Sequence, residues 1–291
     1  MTGFKGKIAA ITGGGTGMGR ALAHLLATEG CHVAICDVAA EAMAETRRTC
    51  EDLAPSGTRF STYLADVSNA SDMEAWSHEV AVEFATDHID LLFNNAGING
   101  GFISFVDGDR EKWEKTFSVC WGGVYNSLRA FLPMLMKSGE ARVINTSSVS
   151  GFWASMGPGL SNTAYCAAKF AVKGFTEALI EDLAVHAPHI KCFLVMPGHV
   201  GTDIAINSMK AYGPRLDVDE PSQLEAAVSY RETAPTTAAE AAQIIVDGVK
   251  ADRWRILVGR GAEITDRRVR AAPEEAYSLQ FFEELVAEVR S

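Results

Sequence analysis

Short, continuously apolar runs alternate along most of this chain with longer stretches whose apolar residues recur every third or fourth position. The short runs predict strands at 7–12, 32–37, 59–65, 89–94, 142–147, 190–196 and 255–258. The longer stretches predict helices at 18–28, 40–53, 71–86, 110–136, 163–184 and 237–250. Strands that are apolar on both faces belong in a parallel sheet covered on both sides. The alternation therefore predicts an α/β protein: a doubly wound, Rossmann-type parallel sheet of about seven strands, built by right-handed crossovers.

Two segments break the rhythm. Residues 202–235 contain Gly213-Pro214, Pro221 and Pro235 and follow the end of a predicted strand, which suggests a long substrate loop or lid. Near the C-terminus, Phe281, Phe282, Leu285, Val286 and Val289 fall at helical spacing and predict a helix that packs on the body or on a neighbouring subunit. With no internal repeat or composition break, we expect one catalytic domain over 1–260 and a helical extension over 261–291.

The charge balance narrows the partners. A net charge of −11 argues against nucleic acid, an anionic membrane or a strongly acidic protein. No apolar run approaches the roughly 20 residues of a membrane span. The six scattered cysteines form no C-x-x-C pair, and the N-terminus shows no signal-peptide pattern, so a reducing cytoplasmic location is expected. His186 and His189 straddle Pro188, which breaks any helix that could align them, and no metal site is predicted.

Candidate chemistry lies in three places. The first strand runs into Thr12-Gly13-Gly14-Gly15-Thr16-Gly17-Met18-Gly19, and a helix follows. Glycines in that setting let backbone N–H groups approach a pyrophosphate, whose charge the helix N-terminus favours. The second strand ends at Asp37, where a carboxylate can accept from adenosine ribose hydroxyls and repel a 2′-phosphate. No basic residue lies in the loop before Gly19 and Val38 follows Asp37, so NAD is expected over NADP. Finally, Tyr165 and Lys169 stand one helical turn apart. A nearby ammonium lowers a phenol's pKa and suits the pair to moving a proton at an alcohol oxygen.

These ordered motifs resemble the short-chain dehydrogenase/reductase family over roughly residues 4–260. The resemblance implies that Asp66-Val67 contacts adenine and that Asn94-Asn95-Ala96-Gly97 lies beside the cofactor. It also implies that Pro197, Gly198, Val200 and Thr202 border the nicotinamide, with Thr202 holding its carboxamide. Of Ser147 and Ser148, the family pattern favours Ser148 as the catalytic serine, with Tyr165 as the base and Lys169 binding the nicotinamide ribose. Cys120 stands where the family usually carries an asparagine of a proton relay, which puts that relay in doubt. Homodimers or homotetramers through the long helices are likewise implied.

The expected activity is hydride transfer between NAD(H) and a small-molecule alcohol or ketone. The expected substrate-facing residues include Phe102, Phe152, Trp153, Met156, His199, Ile204, Ile206 and Met209, which suits a bulky, weakly polar substrate. For His199, a position set by the adjoining Pro197-Gly198 backbone is favoured over contact with substrate. Two competing readings are an NADPH-dependent β-ketoacyl thioester reductase and a non-catalytic nucleotide sensor. The lack of basic residues at Asp37 opposes the first, and the Ser148/Tyr165/Lys169 set opposes the second.

Overall fold

Seven strands pair in parallel in the order β3-β2-β1-β4-β5-β6-β9. They are β1 (Ile8–Thr12), β2 (His32–Asp37), β3 (Phe60–Leu64), β4 (Leu91–Asn94), β5 (Ala141–Thr146), β6 (Ile190–Pro197) and β9 (Arg255–Val258). The short β7 (Val200–Gly201) and β8 (Thr236–Thr237) pair separately. The computed structural model describes residues 3–100, 104–106, 108–155, 157, 159–212 and 219–290.

Period-two alternation sorts each strand's side chains between two cores. Ala9, Ile11, Val33 and Ile35 meet Leu22 and Leu26 of α1 (Gly17–Thr28), Met43 of α2 (Ala40–Leu53), and Ile245 and Val246 of α9 (Ala238–Lys250). Ile8, Ala10, Ala34 and Cys36 face the other way. They join the core of α3 (Ala70–Glu83), α5 (Gly123–Leu135) and α6 (Thr163–His186), which contributes Trp76, Phe131 and Leu183. Helices therefore cover both faces, as the doubly apolar strands required. Local signals mark some ends: Thr237 and Glu240 form a reciprocal capping box at the start of α9.

The helix expected over 110–136 is interrupted. It consists of α4 (Arg110–Phe117), one π-helical turn (Ser118–Gly122) and α5. The extra residue in that turn re-aims its side chains and buries Cys120. The segment expected as a loop over 202–235 is also more ordered than its prolines suggested. It contains α7 (Ile204–Tyr212) and α8 (Glu220–Glu232), while Gly213 and Pro214 lie outside the described residues. Pro221 sits in the first turn of α8, where its missing N–H costs nothing, and Asp219 caps that turn. The C-terminal stretch forms α10 (Arg260–Ala271) and α11 (Leu279–Arg290).

Candidate active site

Strand order reverses between β1 and β4, and a cavity of about 530 Å³ opens there at the strands' carboxyl ends. The glycine loop forms one wall. Gly13 has φ +67°, and a Cβ there would stand 2.9 Å from Ala96 Cα. A Cβ at Gly19 would lie 2.0 Å from the Gly13 carbonyl oxygen, so both positions exclude a side chain. Thr16 occupies the N-cap position of α1, but its side chain does not cap the helix; its hydroxyl accepts from Asn207 Nδ2 at 3.0 Å. The first amides of α1 are left without a side-chain cap, which favours an anion. Gly17 and Met18 also line the cavity.

Asp37, half-buried at the cavity edge, accepts from Gly15 N at 2.9 Å and Ala39 N at 3.1 Å. Asp66 accepts from the amide and hydroxyl of Ser68, and Val67 packs under Gly123 of α5. Both line the cavity. Along the β4 exit, Thr12 Oγ1 accepts from Asn95 N at 2.9 Å and Ala96 N at 3.0 Å, fixing the segment against β1. Asn95, Ala96 and Gly97 line the cavity, and the buried Asn95 Oδ1 has no hydrogen-bond partner. Asn94 differs: its side chain turns into the sheet and donates to Asn145 Oδ1 at 2.8 Å. Any part it plays at the cavity falls to its main chain.

Beyond Gly97 lie the serine, tyrosine and lysine. Lys169 is buried; its Nζ donates to the Thr146 carbonyl at 2.9 Å and sits 5.5 Å from the Tyr165 ring centroid. A Cβ at Gly97 would stand 3.5 Å from that Nζ, so this glycine brings the cavity wall against the lysine. Ser147 Oγ donates to the Lys169 carbonyl at 2.7 Å and is thereby tied to α6. Ser148 accepts from Ser150 N at 3.1 Å, capping the short 3-10 turn Val149–Gly151, and its hydroxyl lies near enough to the Tyr165 phenol to favour the ionised form. The three side chains are thus brought together.

Their electrostatics differ from the sequence expectation. Burial pushes the Tyr165 phenol above its ordinary value, the Cys120 thiol adds to this, and the Ser148 hydroxyl opposes it. Burial also lowers the Lys169 ammonium. Desolvation penalises both charged forms, so the lowering of Tyr165 expected from Lys169 is reversed. Cys120 Sγ donates to the Ile98 carbonyl at 3.1 Å, and burial raises its thiol.

The Pro197–Thr202 segment divides. Pro197 ends β6, Gly198 N donates to the Val258 carbonyl at 3.0 Å, and Val200 is buried in β7; only Thr202 reaches the cavity, against Gly17. His199 anchors α8 instead: Nε2 lies 2.7 Å from the Tyr230 carbonyl and the two rings are 4.1 Å apart. Trp153, expected to face substrate, is buried beneath α11 with Phe152 alongside, because the tail's apolar face needs a partner. Phe102 and Met156 lie outside the described residues. Helix α7 supplies wall residues missing from the sequence expectation: Asn207, Lys210 and Ala211, beside the expected Ile204. Asn207 and Lys210 are polar positions in a helix read as loop, so only their contacts distinguish them.

Among the described residues no helix is long and apolar enough to cross a membrane, and no cluster of three His, Cys, Asp or Glu could hold a metal ion. The family model for short chain dehydrogenases matches residues 7–213. A Mycobacterium tuberculosis protein named as an oxidoreductase, SadH, is 36% identical over 267 residues, 91% of each chain. Levodione reductase of Leifsonia aquatica is 32% identical over 84% of this chain and 90% of its own. Cyclohexanol dehydrogenase of an Acinetobacter strain is 28% identical over 84% and 95%. The crystal structure of a short-chain dehydrogenase/reductase from Burkholderia phymatum in complex with NAD has a TM-score of 0.81 and 29% identity, covering 94% of this chain and 96% of that one. With its parallel sheet, its cavity at the strand-order reversal and a match of this extent, the chain belongs to the short-chain dehydrogenase/reductase family of NAD(P)-binding oxidoreductases.

Proposed function

We propose that the chain oxidises bulky, largely apolar secondary alcohols, or reduces the matching ketones, with NAD(H), and that Ser148, Tyr165 and Lys169 carry the proton chemistry. The observation carrying this reading is the buried Lys169 Nζ, held by the Thr146 carbonyl 5.5 Å from the Tyr165 ring centroid, behind the cavity wall at Gly97.

The side-chain-free cradle at Gly13, Gly17 and Gly19 fits a pyrophosphate held by the amides from Gly13 to Gly19, with Thr16 and Met18 beside it. Asp37 would take the adenosine ribose, Asp66 and Val67 the adenine, and Asn94 (by main chain), Ala96 and Gly97 the middle of the dinucleotide. Lys169 would hold the second ribose, with Pro197, Gly198, Val200 and Thr202 bordering the nicotinamide. NAD is favoured because Asp37 places a carboxylate at the cavity and Val38 brings no positive charge. The Arg20 guanidinium, next along the chain from the glycine loop, is engaged by the Gly15 and Ala42 carbonyls and Thr46. When bound, the dinucleotide supplies the hydride acceptor.

Ser148 orients the substrate oxygen, and Tyr165 Oη takes the hydroxyl proton during oxidation or returns it during reduction. Lys169, held by the Thr146 carbonyl, keeps positive charge available beneath the phenol. Ile98, Val119 and Ile204 give the cavity an apolar side. The names of two relatives, levodione reductase and cyclohexanol dehydrogenase, support a ketone or alicyclic alcohol as substrate. Exposed Tyr125 on α5 and Phe170 on α6 support assembly as a homodimer or homotetramer.

The test measures NADH absorbance with cyclohexanol and a panel of bulkier secondary alcohols, with NAD⁺ and NADP⁺ side by side. Tyr165→Phe should lower turnover by at least about a hundredfold while NADH binding, followed by fluorescence, persists. Near-normal turnover of that variant, or preference for NADP⁺, would overturn the reading.

A further inference from the structure

Trp153 is the second residue beyond the turn that Ser148 caps, and its indole is almost wholly covered. Nε1 donates to the Ala276 carbonyl at 2.7 Å, and the ring lies 6.2 Å from Phe281 and 6.1 Å from Phe282. The neighbouring Ala154 N donates to the Tyr277 hydroxyl at 3.3 Å. Gly157 has φ +103°, and a Cβ there would stand 2.8 Å from Phe282 Cζ, so the backbone itself passes under that ring. Trp153, Ala276, Phe281 and Phe282 belong to a third apolar cluster, separate from the two that sandwich the sheet. Among the described residues, its members outside α10, α11 and their connection are Phe152 and Trp153.

The turn between Ser148 and Trp153 is too short to absorb independent movement of its ends. Gly151 N donates to the Ser148 carbonyl at 2.9 Å, and Phe152 N and Trp153 N both donate to the Val149 carbonyl, at 3.1 and 3.0 Å. One side of the turn presses on α6, where a Cβ at Gly151 would lie 2.7 Å from the Lys169 carbonyl oxygen. Its far end is held by the tail. No residue of α10 or α11 lines the dinucleotide cavity.

We infer that α11 is a positioning clamp: by burying Trp153 it holds the Ser148 turn against Tyr165, without contributing to dinucleotide binding. The inference rests on the roles proposed above for Ser148 and Tyr165. It makes Trp153 and Phe282 positioning residues, since neither touches reacting atoms.

Phe282→Ala opens the clamp while leaving the two main cores intact, and Trp153→Phe removes only the indole N–H. Hydrogen exchange tests the mechanical part without substrate. In Phe282→Ala the amides of Gly151, Phe152 and Trp153 should exchange at least about tenfold faster, as expected of a lost partly buried ring, while those of the Gly13–Gly19 loop stay unchanged. With cyclohexanol and NAD⁺, kcat should fall at least about tenfold while NADH affinity holds within about twofold. The rise of kcat with pH should move to higher pH, because a looser Ser148 no longer favours the phenolate. Trp153→Phe should show the same changes in smaller measure.

Unaltered exchange at 151–153 would remove the clamp. Loss of kcat in step with NADH affinity, or without movement of the pH profile, would reduce the tail to general stabilisation. If the unmodified chain oxidised no alcohol at all, the proposed function would fail, and the exchange comparison would still decide whether the clamp exists.

Discussion

Asp37 accepts from two backbone amides while facing the cavity, so its substitution should be felt twice. In Asp37→Asn the amide keeps one acceptor oxygen and loses the charge. NAD⁺ affinity should fall about ten- to hundredfold, the range of a lost charge-assisted hydrogen bond, and discrimination against NADP⁺ should narrow. Binding titrations with both dinucleotides check this, and an unchanged preference would show that Asp37 does not select the cofactor. Tyr165 yields a pH expectation. Its phenol is raised above the ordinary value by burial. The phenolate needed for oxidation therefore grows with pH across the neutral and mildly alkaline range, and oxidative kcat/KM should climb throughout it. Reduction needs the protonated phenol and should stay flat over the same interval; pH–rate profiles in both directions check the sign. The identity and spacing of Tyr165 and Lys169 were legible as one face of a helix. The direction of the phenol's shift was not, because it depends on burial by the folded chain and on the charges of Cys120 and Tyr230 brought up from elsewhere in the sequence.

At the scale of elements, α10 carries an ion network that ties the tail to the sheet. Arg255 of β9 and Arg270 both bond the Asp266 carboxylate. Burial alone would raise Asp266, but the hydrogen bonds from the two arginines, with their charges, hold it below the ordinary carboxylate range. With a depressed folded-state pKa, its contribution is present above the unfolded value near 3.9 and disappears as pH falls through the folded value. Asp266→Asn should cost about 1.5–3 kcal/mol at neutral pH and much less in acid, where the wild-type carboxyl is itself neutralised. Denaturant melts at both pH values measure this. An equal loss in acid would point to packing instead. The same scale shows why 202–235 reads poorly in sequence. Pro221 looks like a breaker but starts α8, and the wall formed by α7 depends on contacts such as Asn207 to Thr16, 191 residues apart.

Across the whole molecule, two cores flank the sheet and all six cysteines are buried. Burial raises Cys36 and Cys120 and pushes the Cys50 and Cys192 thiols up to about 12, so thiolate is scarce as well as inaccessible. A thiol reagent such as Ellman's should label essentially none of them in the native protein and all of them in guanidinium chloride. Rapid labelling of a native cysteine would show that its region opens readily.

Strand and helix positions, the glycine loop, Asp37 and the Tyr165/Lys169 face could be read from the chain because each is a local pattern: a period of two, a period near 3.6, or a fixed spacing within one turn. The side to which Asn94 points, the wall built by α7, the withdrawal of Trp153 from the expected substrate side and the reversed shift of Tyr165 could not. Each depends on groups far apart in the chain, as Trp153 and Ala276 are at 123 residues, and such encounters exist only after the backbone has closed. The chain's local chemistry named the groups able to react; folding chose which are exposed, which are held and which are charged.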